Sequence, residues 1–329
     1  MRAGVLRACL IGLTLASLLV ALLFGSVAFD LATLWQVLRG EDNGLATTVI
    51  LELRLPRALT ALAVGGLLAV SGALLQVLLR NPLADPYVLG VSGGGSVAAL
   101  LALLAGFSAA AVSASALAGS LAAMFLVFGL SHAQGVWNDT RLLLTGVVVA
   151  SGCGALVSLI LSLTPQNTLT NLIFWLLGDL SQPQVSPVWG LVVLVTGIAV
   201  ALPFARALNL YARGEHVAAA LGENVPLLRY GLYVLAALLA ATALTLAGSI
   251  GFIGLVVPHL LRLLGDTDHR RLLPDAALAG GSLLMLADTL ARTVVAPGQL
   301  PAGAVTALIG VPVFLWLLTR SARGAYGPT

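Results

Sequence analysis

A series of long apolar stretches, separated by short polar segments, most constrains how this chain folds. Each stretch is close to the ~20 residues that a helix needs to cross a bilayer. The chain of 329 residues is 59% hydrophobic and only 9% charged, whereas roughly a quarter of the residues in soluble domains are charged. A soluble protein cannot bury so many helices that are apolar on every side. We therefore predict an all-α polytopic membrane protein, with one transmembrane domain over residues 1–329.

The lengths of the apolar stretches predict about ten transmembrane helices. Their approximate positions are 6–28, 57–79, 88–106, 111–131, 142–163, 186–206, 229–249, 251–265, 275–294 and 301–319. The first stretch follows Arg2 and Arg7 and ends at Ser26-Val27-Ala28, as a signal peptide would. Its apolar core is longer than the ~7–15 residues of a signal peptide, so we interpret it as a retained helix.

The arginines set the predicted orientation, since all sixteen basic residues are arginine. Ten spans place both termini on one side, and cytoplasmic loops carry an excess of basic residues. Cytoplasmic termini put most arginines inside, namely Arg2, Arg7, Arg80, Arg141, Arg206, Arg213, Arg229, Arg262, Arg270, Arg271, Arg320 and Arg323. The arginines left outside are Arg39, Arg54, Arg57 and Arg292.

Arg54 and Arg57 flank Pro56 at the predicted start of the second span. Two interpretations are open. The arginines are either interfacial side chains that reach toward water, or a basic patch that binds the carboxylates of an acidic partner. Proline is favoured in the first turn of a helix, so Pro56 predicts that the span begins there.

The longest predicted cytoplasmic segment covers residues 207–228. Its middle predicts a short helix over 214–222, because Val217, Ala218 and Leu221 share a face and Gly222 favours a helix end. Such a helix either rests on lipid or docks into a groove of a soluble partner. Its charged residues are mixed in sign, which favours docking.

The chain has no lysine. It therefore cannot contain a P-loop, whose lysine reaches the nucleotide phosphates, and ATP hydrolysis would need another polypeptide. Cys9 and Cys153 lie inside apolar stretches and form no disulfide or metal-binding pattern. The sequence contains no basic stripe with interleaved aromatic residues, the pattern that would indicate nucleic-acid binding.

Several blocks of the sequence, in the same order, resemble the permease family of importers for vitamin B12, iron–siderophore complexes and haem. These blocks are LRLPR at 53–57, RNPLADP at 80–86, LGVSGG at 89–94, ExxAxxLG at 215–222, GSIGFIGLVVPHLLR at 248–262, DHR at 268–270 and LPAGAVTALIGVP at 300–312. The resemblance covers nearly the whole chain.

The resemblance implies a type II ABC importer permease fold in a bacterial inner membrane. The chain would pair with a second copy of itself, two ATP-binding subunits and a periplasmic substrate-binding protein. It would be a translocation subunit and not an enzyme, with no cofactor of its own, since ATP–Mg is used by the partner subunit. An iron chelate is the favoured cargo, with cobalamin as the alternative.

The resemblance also implies roles for individual residues. Docking of the binding protein would involve Arg54, Arg57 and Arg292. Contact of the 207–228 coupling helices with the ATPase would involve Glu215, Ala218, Leu221 and Gly222. A cytoplasmic gate would involve Asn81, Leu83 and Thr140. Asp139 departs from the family pattern, where a small polar residue is expected. The 164–185 segment should contain a short helix near an outer vestibule.

Two other classes deserve comparison with the importer. Gly90-Val91-Ser92-Gly93 has the form of an intramembrane serine protease motif, with His259 as a conceivable base. The glycines more simply allow close helix packing, and Ser92 lies near a helix start, where hydroxyls cap. An ion-coupled carrier would place ionisable groups within the membrane. Asp288 is the one clear acidic candidate, and we expect it to pair with Arg292 one turn along.

Overall fold

The computed structural model describes residues 3–41, 44–131, 138–181 and 185–325, and the side chains up to residue 317. These residues form thirteen helices. They are α1 (Ala3–Leu23), α2 (Leu31–Leu38), α3 (Leu45–Leu78), α4 (Val91–Leu104), α5 (Ala109–Ser131), α6 (Asp139–Leu163), α7 (Gln166–Leu176), α8 (Pro187–Tyr211), α9 (Glu215–Ala220), α10 (Val225–Ala247), α11 (Ile253–Leu263), α12 (His269–Ala291) and α13 (Ala302–Ala325).

The helices confirm the all-α polytopic fold, and ten of them lie at the predicted positions. In the described residues, α1, α3, α5, α6, α8 and α10 are long and apolar enough to cross a membrane unaided. Helices α4, α11 and the described part of α13 are apolar but shorter. Helix α12 has 23 residues and carries several charges, of which Asp275 and Asp288 pair with arginines of α1 and α3. The three remaining helices, α2, α7 and α9, are short connectors.

Helix α3 forms the centre of the bundle, and nearly every residue from Ala58 to Leu78 is buried. It packs against α12, α10, α11 and α8. Two close approaches depend on glycine. A Cβ on Gly65 would overlap the Gly280 carbonyl of α12, and a Cβ on Gly72 would overlap the Gly254 carbonyl of α11. Small residues thus bring the backbones of these helices together.

The α-helical part of the second span begins at Leu55, with Pro56 in its first turn as predicted, but helical structure already starts at Leu45. Helix α3 begins at Leu45, and residues Thr48–Arg54 form a π-helical segment that leads directly into Pro56. Proline has no N–H to donate to the preceding turn, and its ring crowds that turn. The wider π-helical spacing accommodates the proline inside a continuous helix. Local sequence preference indicated a helix start, but packing of α1 and α2 against this segment extends the helix.

Helix α11 contains Pro258, which leaves the Gly254 carbonyl without its usual helical donor. The Gln76 side chain of α3 supplies one, since its Nε2 donates to the carbonyls of Gly254 and Leu255 at 3.3 and 3.1 Å. The guanidinium of Arg262 donates to Gln76 Oε1. A side chain of the neighbouring α3 therefore pairs the carbonyl that Pro258 leaves free in α11, as the membrane interior requires.

Contacts between α1 and α12 define the two ends of the bundle. Arg7 pairs with Asp275 at one end, and Arg292 donates to the Ala21 carbonyl at the other. Because α3 runs antiparallel to α12, Arg57 lies near Arg292 and Arg80 lies at the opposite end. We call these the Arg57 end and the Arg80 end.

Candidate docking, coupling and gate sites

Arg54 caps helix α1 at the Arg57 end. Its Nη1 donates to the carbonyls of Leu22 and Leu23 at 2.7 and 3.0 Å, and its Nη2 donates to the Val27 carbonyl. The side chain also lies 5.0 Å from the Phe29 ring centroid, and the residue is only 5% exposed. The last carbonyls of a helix lack intrahelical partners, and Arg54 supplies donors for them.

Arg57 and Arg292 hold a shared carboxylate between them. Arg57 Nε lies 3.0 and 2.9 Å from the two Asp288 oxygens, and its Nη2 lies 2.8 Å from Asp288 Oδ1. Arg292 Nε lies 3.6 Å from Asp288 Oδ2, which confirms the expected pairing one turn along α12. The three side chains leave one positive charge in excess, and the Arg57 Nη1 reaches outward to Gln299 at 3.2 Å.

The structure therefore brings the three predicted docking arginines to one end of the bundle, but each has partners within the chain. The Arg57 side chain is 12% exposed and the Arg292 side chain is 9% exposed. Sequence reasoning missed the contact between Arg57 and Asp288. The available signal was an aspartate within an apolar span, which needs a cationic partner at the same depth. Docking itself stays a prediction.

The short helix predicted over 214–222 is confirmed as α9, which ends where Gly222 adopts a φ of +85°. The predicted coupling residues differ in how far they are exposed to solvent. Ala218 is fully buried, and Glu215 pairs with Arg229 of α10. Leu221 is 58% exposed, and His216 and Val217 beside it are also exposed. The surface that α9 presents is therefore formed by His216, Val217 and Leu221.

The two predicted gate segments meet at the Arg80 end. The Asn81 side chain accepts a hydrogen bond from the Leu83 backbone at 2.9 Å, so the loop forms a local turn and leaves Leu83 exposed. Arg80 Nη2 lies 3.1 Å from Asp139 Oδ2 at the start of α6, next to Thr140. The Asp139 carboxylate serves as the counter-ion of Arg80.

The described residues do not form the sites that a serine protease or an ion-coupled carrier would need. The Ser92 hydroxyl lies 3.3 Å from the Ser249 hydroxyl, and His259 Nε2 has no hydrogen-bond partner among the described residues. The expectation that Ser92 caps a helix is also wrong, because the capping position of α4 is Gly90. Asp288 lies between Arg57 and Arg292 and forms a cluster of ion pairs with them.

Comparisons with known proteins agree with this architecture. A family model for the FecCD transport family matches residues 13–320. The chain is 41% identical to the hemin transport system permease HmuU of Yersinia pestis over 307 residues, which cover 90% of each chain. It is 40% identical to the vitamin B12 import permease BtuC of Yersinia enterocolitica over 318 residues, which cover 94% of this chain and 91% of BtuC.

A solved structure of a metal-chelate type ABC transporter in an inward-facing conformation superimposes with a TM-score of 0.82 and 31% identity. The superposition covers 96% of this chain and 99% of the other. The family match spans most of the ten predicted helices, and the same topology recurs in the superimposed transporter. The chain belongs to the FecCD transport family.

Proposed function

We propose that this chain is the membrane-spanning permease subunit of an ATP-driven importer for a bulky metal chelate. The observation that carries the proposal is the superposition on a metal-chelate type ABC transporter over 96% of the chain. The absence of lysine supports ATP hydrolysis by separate ATP-binding subunits, which use ATP–Mg while this chain holds no cofactor of its own.

The names of the relatives do not single out one cargo. Permeases named for hemin and for vitamin B12 are 41% and 40% identical to this chain. Both cargoes are metal chelates of a large macrocycle. We favour an iron chelate, with cobalamin as the alternative.

Helix α6 supports pairing with a second copy of the chain. Its buried residues are Leu142 and Gly146, whereas Val148 and Leu163 are 70% and 76% exposed. The middle of α6 is rich in small residues, from Ala150 to Gly154, which favour close helix contacts in membranes. An apolar cleft of about 640 Å³ runs beside this face, between α6 and the Phe252 region. A second copy would close the cleft into a passage for the cargo.

Native mass spectrometry of the complete transporter tests this pairing. We expect two copies of the chain and two ATP-binding subunits in each particle. A particle that contains one copy of this chain and a different permease would contradict the homodimer.

The Arg57 end is the proposed docking surface for the periplasmic binding protein, which places both termini in the cytoplasm. Arg57 carries most of this proposal, because its Nη1 points to the exposed Gln299 and Asp288 neutralises only part of the local charge. Arg54 supports the surface indirectly, by fixing the end of α1.

Replacing Arg57 with glutamine tests the docking surface. Hydrogen bonds to charged groups contribute roughly 1.5–3 kcal/mol, so Arg57→Gln should weaken binding of the binding protein about tenfold or more. The matched control is Arg39→Gln, which removes an exposed arginine of the same end. Affinity is measured by titrating the binding protein onto nanodiscs. Equal affinities for both variants and the unmodified protein would refute docking at Arg57.

Transport in proteoliposomes tests the whole proposal. The chain is reconstituted with its ATP-binding subunits and binding protein, and labelled haem, cobalamin and a ferric siderophore are supplied separately. Accumulation of one cargo that requires ATP would establish the importer and its substrate. Accumulation that follows an ion gradient and ignores ATP would overturn it in favour of a carrier.

A further inference from the structure

Arg80 has an unusual backbone conformation at the end of α3. Its φ is +45°, a left-handed value that side chains other than glycine rarely adopt. The Arg80 N–H donates to the Val77 carbonyl, and the Asn81 N–H donates to the Gln76 carbonyl. This is the hydrogen-bond pattern of a Schellman helix end, in which glycine is the favoured residue.

Among the described residues, the same pattern ends four other helices, and each of those has glycine at this position. These glycines have φ values of +71° to +95° and are Gly40, Gly106, Gly222 and Gly265. At these four helix ends the left-handed position is therefore filled by the residue that has no side chain. Arginine at position 80 adopts the same conformation against its own steric preference, which indicates that its side chain is needed there.

The Arg80 side chain joins two elements. Its Nη2 lies 3.1 Å from Asp139 Oδ2 at the start of α6, and its guanidinium carbon lies 5.9 Å from the centroid of the Tyr211 ring. Asp139 immediately precedes the predicted gate residue Thr140, and Arg80 immediately precedes Asn81. Arg80 therefore connects both predicted gate segments to the end of α8.

Tyr211 continues the connection toward α9. Its ring is fully buried, and its hydroxyl accepts a hydrogen bond from Arg229 Nε at 2.9 Å. The Tyr211 hydroxyl also donates to the carbonyl of Leu78, the last residue of α3, at 3.4 Å. The Arg229 guanidinium pairs in turn with Glu215, the first residue of α9.

We propose that Arg80 is a positioning residue that transmits movement of α9 to the gate segments. The chain of contacts runs from Glu215 through Arg229, Tyr211 and Arg80 to Asp139, and we call it the Arg80 link. A shift of α9 pulls on Arg229 and the Tyr211 ring, and Arg80 carries that shift to the start of α6. The inference rests on the proposed function, in which α9 contacts the ATP-binding subunit.

Arg80→Gly separates this role from a structural one. Glycine accommodates a φ of +45° without strain, so the variant should fold and melt at the same temperature or higher. It removes the guanidinium and with it the link to Asp139. Two control variants accompany it. Arg80→Lys keeps a cation at the same position, and Arg206→Ala removes an exposed arginine of α8.

The gate is followed by labelling a cysteine at position 83, in a background with Cys9 and Cys153 replaced by alanine. The rate of maleimide labelling of Leu83→Cys is measured in the complete transporter, with and without ATP–vanadate. A second reporter, His216→Cys, measures whether the ATP-binding subunit covers α9. Neither readout needs a cargo.

We expect ATP–vanadate to change the labelling rate at position 83 about fivefold or more with Arg80 present, in the range of ordinary allosteric coupling. Arg80→Gly should reduce that change to less than about twofold, while Arg80→Lys and Arg206→Ala retain most of it. Protection of position 216 should be the same in all variants, because assembly does not involve Arg80.

The outcomes distinguish a failure of the Arg80 link from a failure of the proposed contact between α9 and the ATP-binding subunit. A nucleotide-dependent change that is equally large in Arg80→Gly would overturn the Arg80 link, as would an absence of any change at position 83 with Arg80 present. Failure of the ATP-binding subunit to protect position 216 would instead refute the proposed contact of α9. A lower melting temperature for Arg80→Gly would show that Arg80 stabilises the helix end, and would also contradict the proposal.

Discussion

Asp288 is the residue whose loss the structure predicts to be most costly at the Arg57 end. Its carboxylate is 2% exposed and accepts hydrogen bonds from Arg57 at 2.8–3.0 Å, with Arg292 at 3.6 Å on its other side. Replacement by asparagine keeps the shape but removes the negative charge. Two guanidinium groups then face each other in a largely buried site, and neither has a counter-ion there.

Breaking a buried ion pair from one side costs about 3–5 kcal/mol, because the remaining charge stays buried. We therefore expect Asp288→Asn to lower the free energy of unfolding by roughly that amount. The matched control is Asp139→Asn at the Arg80 end, where both partners are partly exposed at 39% and 20%. Such a pair contributes about 0–1 kcal/mol.

Equilibrium unfolding of the purified chain in mixed detergent micelles, with increasing denaturing detergent, measures both changes. A triple variant, Asp288→Asn with Arg57→Gln and Arg292→Gln, removes the stranded charges and should recover most of the lost stability. A cost below about 1 kcal/mol for Asp288→Asn would refute the reasoning, because it would mean that water reaches and solvates both arginines.

Two further predictions concern packing and protonation. Gly72→Ala should destabilise the bundle by about 1–3 kcal/mol, because its Cβ would overlap the Gly254 carbonyl. Gly231→Ala has open space around it and should stabilise α10 by ~0.5–1 kcal/mol. Equal effects of the two substitutions in the same unfolding assay would contradict this packing. Burial and the neighbouring Asp275 carboxylate raise the pKa of Asp266, in the loop before α12, to about 6. Because this pKa lies above the 3.8 of an unperturbed aspartate, the cost of ionising Asp266 grows as pH rises from about 3.8 to about 6 and is constant above that range. Asp266→Asn should therefore raise the melting temperature more at pH 7.5 than at pH 4, and a shift of equal size at both pH values would contradict the assignment.

The positions of the ten long helices could be predicted from the sequence because hydrophobic length is a local property, whereas short α2 was not predicted. The bilayer sets how many apolar residues a span needs, so α5, α6 and α10 could be located without knowledge of their neighbours. Short α9 was also predictable, since its apolar face and Gly222 lie within a few residues of each other. The turns of α3 that precede Pro56 were not, because they are stabilised by packing against α1 and α2.

The sequence predicted which residues belong to the candidate sites, but not the contacts that each of them makes. The sequence placed Arg54, Arg57 and Arg292 on one side of the membrane by counting spans, and the structure brings them to one end of the bundle. It did not reveal that Arg54 caps α1 or that Asp288 lies against Arg57, since those contacts join residues far apart in the chain. Such pairings depend on the depth and rotation of each helix, which sequence periodicity does not specify.

By itself, the sequence determined that the chain spans a membrane, that it lacks a P-loop, and which family motifs it carries. Only the tertiary structure decided which charges are neutralised, where Gln76 replaces the donor that Pro258 lacks, and that Arg80 has a left-handed backbone. The physical reason is the same in each case. The bilayer can surround a long apolar helix whatever its neighbours are, whereas every buried polar group must find a particular partner in another part of the chain.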